Sequence, residues 1–101
     1  MKPVVWLDEA VSDLKDIGLY IAKHNKTAAK KVLKQMKRSA DQLSEHPLSG
    51  RTERVAGTRE LVIPNLPYIL PYQITGNEVR ILAVMHTSRK WLTEFSNMDN
   101  E

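Results

Sequence analysis

The chain has 101 residues, 42% of them hydrophobic and 27% charged, with a net charge of +3 and no cysteine. That is the length of one domain with one modest core, and it excludes disulfides and thiolate metal sites. The opening stretch MKPVVWLDEA is too short in apolar residues for a signal peptide. No run reaches the roughly 18–20 apolar residues of a membrane span, so a cytoplasmic protein without a membrane partner is expected.

Residues 3–7, PVVWL, predict a short strand opening on a proline, a position where the missing N–H is tolerated. Asp8 is the expected N-cap of a first helix over about 9–23, with apolar positions at Val11, Leu14, Ile17 and Ile21. HNKT at 24–27 interrupts the pattern, and Thr27 is the expected cap of a second helix. Ala29, Leu33, Met36, Ala40 and Leu43 form the apolar face of that helix, and His46-Pro47 ends it, because the residue before a proline avoids helical backbone. The short connection predicts an antiparallel helical hairpin. Charge is divided unevenly over it. Residues 8–16 carry Asp8, Glu9, Asp13 and Asp16 against Lys15, whereas residues 23–38 carry Lys23, Lys26, Lys30, Lys31, Lys34, Lys37 and Arg38 without an acid. Such a cationic segment suits an acidic partner or a nucleic-acid backbone, or is a solvated helix face.

Residues 47–58, PLSGRTERVAGT, read as a polar loop. Three strands are expected after it, at 59–63, 68–75 and 78–86, the last two joined by the hairpin dipeptide Gly76-Asn77. PNLP at 64–67 predicts a wider turn. Pro71 falls inside a strand, where it removes a ladder donor, so a bulge or an unpaired amide is expected there. A short helix over 88–96 and a polar tail at 97–101 complete the chain, with residues 1–96 as the single domain. The fold class is α+β: β-α-α-β-β-β, the hairpin packed on one face of a small, twisted, mostly antiparallel sheet.

Few residues offer chemistry. His24, His46 and His86 lie on three elements without ligand spacing, no serine sits in a G-x-S-x-G elbow, and the glycines are scattered, so neither a metal nor a cofactor is expected. What remains is cationic and aromatic: Arg51, Arg54, Arg59, Arg80, Arg89 and Lys90, with Tyr68, Tyr72, His86 and Trp91. Arginines interleaved with aromatics hold phosphates and stack on bases. Arg59 and Arg80 belong to neighbouring parts of a sheet and are expected to share a face. His86 also reads as a plain strand end, and Trp91 as a plug on the core.

SEHPLSGR at 44–51, VAGTREL at 55–61, PYILPYQI at 67–74 and VRILAVMHTSRKW at 79–91 together resemble the ParE/RelE superfamily, the toxin halves of bacterial type II toxin–antitoxin modules. The resemblance implies a helical hairpin on a small twisted antiparallel sheet, a cognate antitoxin in a hetero-oligomeric complex, and one of two targets. ParE-like members bind DNA gyrase and trap its cleaved-DNA state; RelE-like members cut mRNA in the ribosome with basic and aromatic side chains and no metal. RelE-like sequences carry an arginine where Y-I-L-P-Y has Ile69, and the ending H-x-x-R-x-W looks more like the ParE branch, so gyrase is the expected target. His86, Arg89, Lys90 and Trp91 are then the expected target contacts, and Leu33 and Met36 with Lys30, Lys34 and Lys37 the expected antitoxin contacts. In the nuclease alternative His86 acts as general base with Arg59, Arg80 or Arg89 as phosphate clamp.

Overall fold

A computed structural model of the chain describes residues 1–53 and 57–89. In chain order it comprises β1 (Val4–Trp6), α1 (Asp8–Ala22), α2 (Lys26–Asp41) continued by a 3-10 turn (Gln42–Ser44), β2 (Arg51–Thr52), β3 (Thr58–Val62), β4 (Tyr68–Ile74), β5 (Val79–Ile81), β6 (Met85–His86) and a closing 3-10 turn (Thr87–Arg89). The expected α+β order and mostly antiparallel sheet are present. The sheet runs β1-β5-β4-β3-β2 with β6 also on β4, and β1–β5 is its parallel pair. Of the helix expected over 88–96 only that closing turn falls within the described residues, and the tail at 97–101 lies outside them.

The helix starts differ from expectation in their caps. Leu7, not Asp8, precedes α1: its N–H donates to the Ile81 carbonyl at 3.0 Å and its carbonyl accepts from Val11 N–H at 3.0 Å. One residue thus closes the sheet and opens the helix, and Asp8 joins Glu9 in the first turn, where their charge favours the helix dipole. For α2 the cap is Asn25 rather than Thr27, its Oδ1 accepting from Ala28 N–H at 2.9 Å. The linker is so short that the Asn25 N–H still bonds to the Ile21 carbonyl of α1 at 2.9 Å.

The helices bury Ala10, Met36, Ala40 and Leu43 against Tyr68, Leu70, Tyr72, Val79, Ile81 and Val84 of the sheet half, while Val11 stays exposed, outside the stripe expected of it. Gly18 lets α1 approach α2 closely, since a Cβ there would sit 3.0 Å from Leu33 Cδ1. Five consecutive buried residues, Tyr68–Tyr72, mark β4 as the central strand.

Pro71 lies in that central strand and disturbs it as expected. Its carbonyl accepts from Leu82 N–H at 2.9 Å, so its absent N–H would have faced the same edge, toward β5 and β6. On that edge β4 pairs with β5 through Tyr72↔Ile81 and resumes with β6 through Ile69↔Met85. Leu70 and Pro71 therefore face three residues, Leu82, Ala83 and Val84, one more than a regular ladder holds: a β-bulge. This extra residue splits the strand expected over 78–86 into β5 and β6.

On the other side, residues 47–50 are fastened to the sheet by Tyr72. Its hydroxyl donates to the Pro47 carbonyl at 2.7 Å and accepts from Gly50 N–H at 2.9 Å. Arg51 and Thr52, expected in a loop, then pair with Glu60 and Arg59 as β2, and Arg51 forms an ion pair with the buried Glu60 carboxylate.

Gly50→Ala would place a Cβ 2.5 Å from the Tyr72 hydroxyl, which has no room to retreat in a fully buried ring. Thermal melting should show a loss of about 1–3 kcal/mol, the usual cost of overpacking. Burial raises the Tyr72 hydroxyl pKa, outweighing the Gly50 hydrogen bond and the Arg59 charge that lower it, and burial raises that of Tyr68 too. The folded chain then holds these protons more tightly than the unfolded one. The stability they contribute is complete below about pH 10, the ordinary tyrosine value, and is lost as pH rises through the higher folded-state values. Tyr72→Phe should melt earlier at neutral pH, by about 1–3 kcal/mol for two orphaned backbone groups, and lose less than the parent between pH 9 and 11.

Candidate functional site

The bulge opens a groove of about 950 Å³ between α1 and the β6 end of the sheet. Glu9, Asp13, Asp16, Ile17 and Tyr20 of α1 form one wall; Tyr68, Pro71 and residues 82–86 form the floor and the other wall, with Ser88 at the rim. Helical spacing explains the acidic wall, since positions 9, 13 and 16 are four and three apart and so share a face. Asp13 also closes the bulge: its Oδ2 accepts from Val84 N–H at 3.0 Å, a backbone donor that the interrupted ladder leaves without a strand partner.

His86 sits where the groove meets the end of β6. Pairing of Tyr68 with His86 sets the imidazole edge-on to the phenol, with ring centroids 5.5 Å apart at 87°. Burial, and then the nearby Tyr20, push the Tyr68 hydroxyl pKa upward, so that ring is a neutral donor at physiological pH. Ser88 N–H donates to His86 Nδ1 at 3.1 Å, and the Ser88 hydroxyl lies 2.7 Å from the same nitrogen. A backbone N–H is always a donor, so Nδ1 is the acceptor and the neutral ring carries its proton on Nε2. In that tautomer His86 offers a donor to a partner.

The other expected site residues do not gather around it. Arg59 pairs with Tyr72 and Arg80 with Gln73, adjacent residues of β4, so the two guanidinium groups leave opposite faces of the sheet rather than sharing one. Both are also engaged. Arg59 Nη1 donates to the Gly50 carbonyl at 2.9 Å, and Arg80 Nε contacts Glu78 Oε2 at 2.7 Å. Arg59 lies opposite Tyr72 and His86 opposite Tyr68, four residues or about 13 Å apart along β4. Arg59 and Arg80 are therefore not gathered together around His86. Of Arg89 the backbone ends the last 3-10 turn among the described residues; Lys90 and Trp91 lie outside them.

The expected antitoxin contacts also divide. Met36 is fully buried and Leu33 is half-buried against Gly18, so the apolar face of α2 belongs to the core. Lys30, Lys34 and Lys37 are exposed. Sequence reading missed the acidic wall as part of a site, although the spacing of Glu9, Asp13 and Asp16 carried the signal. What it could not supply was the bulge that brings residues 82–86 opposite that wall.

The family model described as ParE toxin of type II toxin–antitoxin system, parDE, matches residues 4–91. The chain is 42% identical over 90 residues to the Y4kP protein of Sinorhizobium fredii, covering 89% of this chain and 93% of that one. It is 36% identical over 89 residues to Toxin RelE2 of Caulobacter vibrioides, covering 88% and 99%. Among solved structures it superposes on a chain of the chromosomal ParDE TA system from P. aeruginosa with a TM-score of 0.76 at 25% identity, covering 85% of this chain and 96% of that one. The fold is shared with a chain of the E. coli DinJ–YafQ complex at a TM-score of 0.58 and 14% identity, over 90% and 99% of the two chains.

Asp13→Ala should destabilise the protein by about 1–3 kcal/mol in thermal melts, because it orphans the Val84 N–H. Asp13→Asn keeps an acceptor oxygen and should recover most of that loss. Glu9→Gln and Asp16→Asn, on the exposed part of the wall, should each shift stability by no more than about 0.5 kcal/mol. Equal effects at all three positions would show that Asp13 is not the staple.

Proposed function

The chain belongs to the ParE toxin family of type II toxin–antitoxin systems, and from that membership and the charge of the groove beside His86 we propose that it inhibits growth by binding and poisoning DNA gyrase. A cognate antitoxin holds it inactive in the cytoplasm until released. The observation that carries the choice of target is electrostatic. Glu9, Asp13 and Asp16 face the space next to His86. Phosphoryl chemistry without a metal needs cations or fixed donors aimed at the developing negative charge. Three carboxylates oppose that charge.

The tautomer of His86 argues the same way. A general base must present an unprotonated nitrogen, and the one that is unprotonated is held by Ser88. A protein interface makes no such demand: it needs a donor, an aromatic edge and an apolar floor, which His86, Tyr68 and the stretch from Leu82 to Met85 supply. Arg89, Lys90 and Trp91 follow His86 in the chain and extend the target contact. Arginine and tryptophan are the side chains most often found as interface hot spots.

Neutralisation follows from the same groove. Met36 is buried and Leu33 half-buried, which favours an antitoxin contact in the groove over one on the apolar face of α2. The antitoxin segment that fits between α1 and β6 combines apolar side chains for the floor with basic ones for the acidic wall. Seated there, it adjoins His86 and screens the target contact.

With purified toxin, gyrase and plasmid, supercoiling should fall and linear, cleaved DNA accumulate, while mRNA on programmed ribosomes stays intact. Codon-positioned cuts in that mRNA with gyrase untouched would overturn the assignment. His86→Gln should keep growth inhibition within a few-fold of the parent and melt like it. A loss of a hundredfold or more, the size expected when an acid–base catalyst is removed, would point to cleavage instead.

A further inference from the structure

The cationic face of α2 is used neither by the core nor by the groove. Lys26, Lys30, Lys31, Lys34, Lys37 and Arg38 are all exposed, and among the described residues none of them makes an ion pair. At 100° per residue the six fall within an arc of about 140°, spread over about 18 Å of helix axis. The buried Ala29, Met36 and Ala40 occupy the opposite side. Lys26, Lys30, Lys34 and Arg38 follow one another at intervals of four, the spacing at which like charges repel along a helix. A solvated face relieves such repulsion by mixing in acids, but from Lys26 to Arg38 there is none, and the one acid of α2, Asp41, comes in the same arc only at the helix end.

We propose that α2 is a duplex-DNA-binding surface that contacts the phosphate backbone without reading sequence, a contact separate from the groove and independent of whether gyrase is the target. A polyanion of regular spacing neutralises the whole ladder at once. An acidic protein partner fits less well, because the face carries no aromatic or exposed apolar anchor. Duplex DNA is favoured over duplex RNA by shape: the B-form major groove is about 12 Å wide and admits a helix, whereas the A-form major groove is deep and narrow. Base reading is not provided for. The cations are mostly lysines, which act as point charges, and the Gln35 amide is occupied by the Pro64 carbonyl at 2.6 Å. The acidic wall of α1 repels the same backbone, so DNA held on α2 leaves the groove turned toward protein.

The test is fluorescence anisotropy of a labelled 20-base-pair duplex of mixed sequence with the purified toxin across a salt series, gyrase being absent. Neutralising four to five phosphates predicts a slope of about −4 in log K against log salt, and a scrambled duplex should bind equally. The triple variant K30Q/K34Q/K37Q should lower the slope by about 2–3 in magnitude and weaken binding at least tenfold at low salt, with unchanged circular dichroism. If the triple variant melts early, K30Q and K37Q singly, each removing about one unit of slope, carry the same test. A parent that does not bind duplex DNA, variants that bind like the parent, or equal or tighter binding of duplex RNA or of a polyglutamate peptide would each overturn the proposal.

Discussion

A proline in the middle of the central strand governs the architecture of the site. At Pro71 the sheet lacks one donor on the edge that faces β5 and β6. A regular strand opposite would leave a buried carbonyl without its partner, and such groups are rarely tolerated. The chain answers with one additional residue, which turns Val84 N–H out of the ladder and toward α1. Asp13 accepts it. The same hydrogen bond that repairs the sheet therefore fixes the distance between helix and strand, and the groove is the space left between them.

The opposite end of β4 is organised by a phenol. Tyr72 ties down the carbonyl of Pro47 and the amide of Gly50, and Arg59 adds a bond to the Gly50 carbonyl. The segment E-H-P-x-x-G-R thus acts through packing: proline ends the helical run, glycine leaves room for the phenol, and arginine pairs with the buried Glu60. Cations that looked available for phosphate binding are spent in holding this corner together. The two helices meanwhile divide the charge, acids on α1 and bases on α2, so a small protein of modest net charge presents two surfaces of opposite sign.

Much of this was legible in the residues. Helical periods located α1 and α2, Gly76-Asn77 located the β4–β5 hairpin, and Pro71 announced a disturbed ladder. The helix caps were less legible, because Asn25 and Thr27 are both competent cap residues and only the path of the linker decides between them. Two-residue strands such as β2 have no periodicity to detect. The face to which Arg59 or Arg80 points depends on register, and a shift of one residue reverses it. Met36 illustrates a different limit. An apolar residue on an amphipathic helix looks the same whether it meets the protein's own core or a partner, and here the core takes it. The groove lay beyond reach for the same reason as register: it exists only once residues 13 and 84 have been brought together.

The parallel pairing of β1 with β5 has a consequence for synthesis. Val4 is in register with Val79, and the Leu7 N–H that opens α1 finds its acceptor at Ile81. Domains begin to fold from the N-terminus as the chain is made, and contacts this distant in sequence form late. The helical hairpin can assemble early, but the first strand has no neighbour until the fifth has been translated. A nascent chain consequently carries the basic helix well before it has the groove. The groove is completed only when the chain is nearly finished, and the strand made first is among the last to find its neighbour.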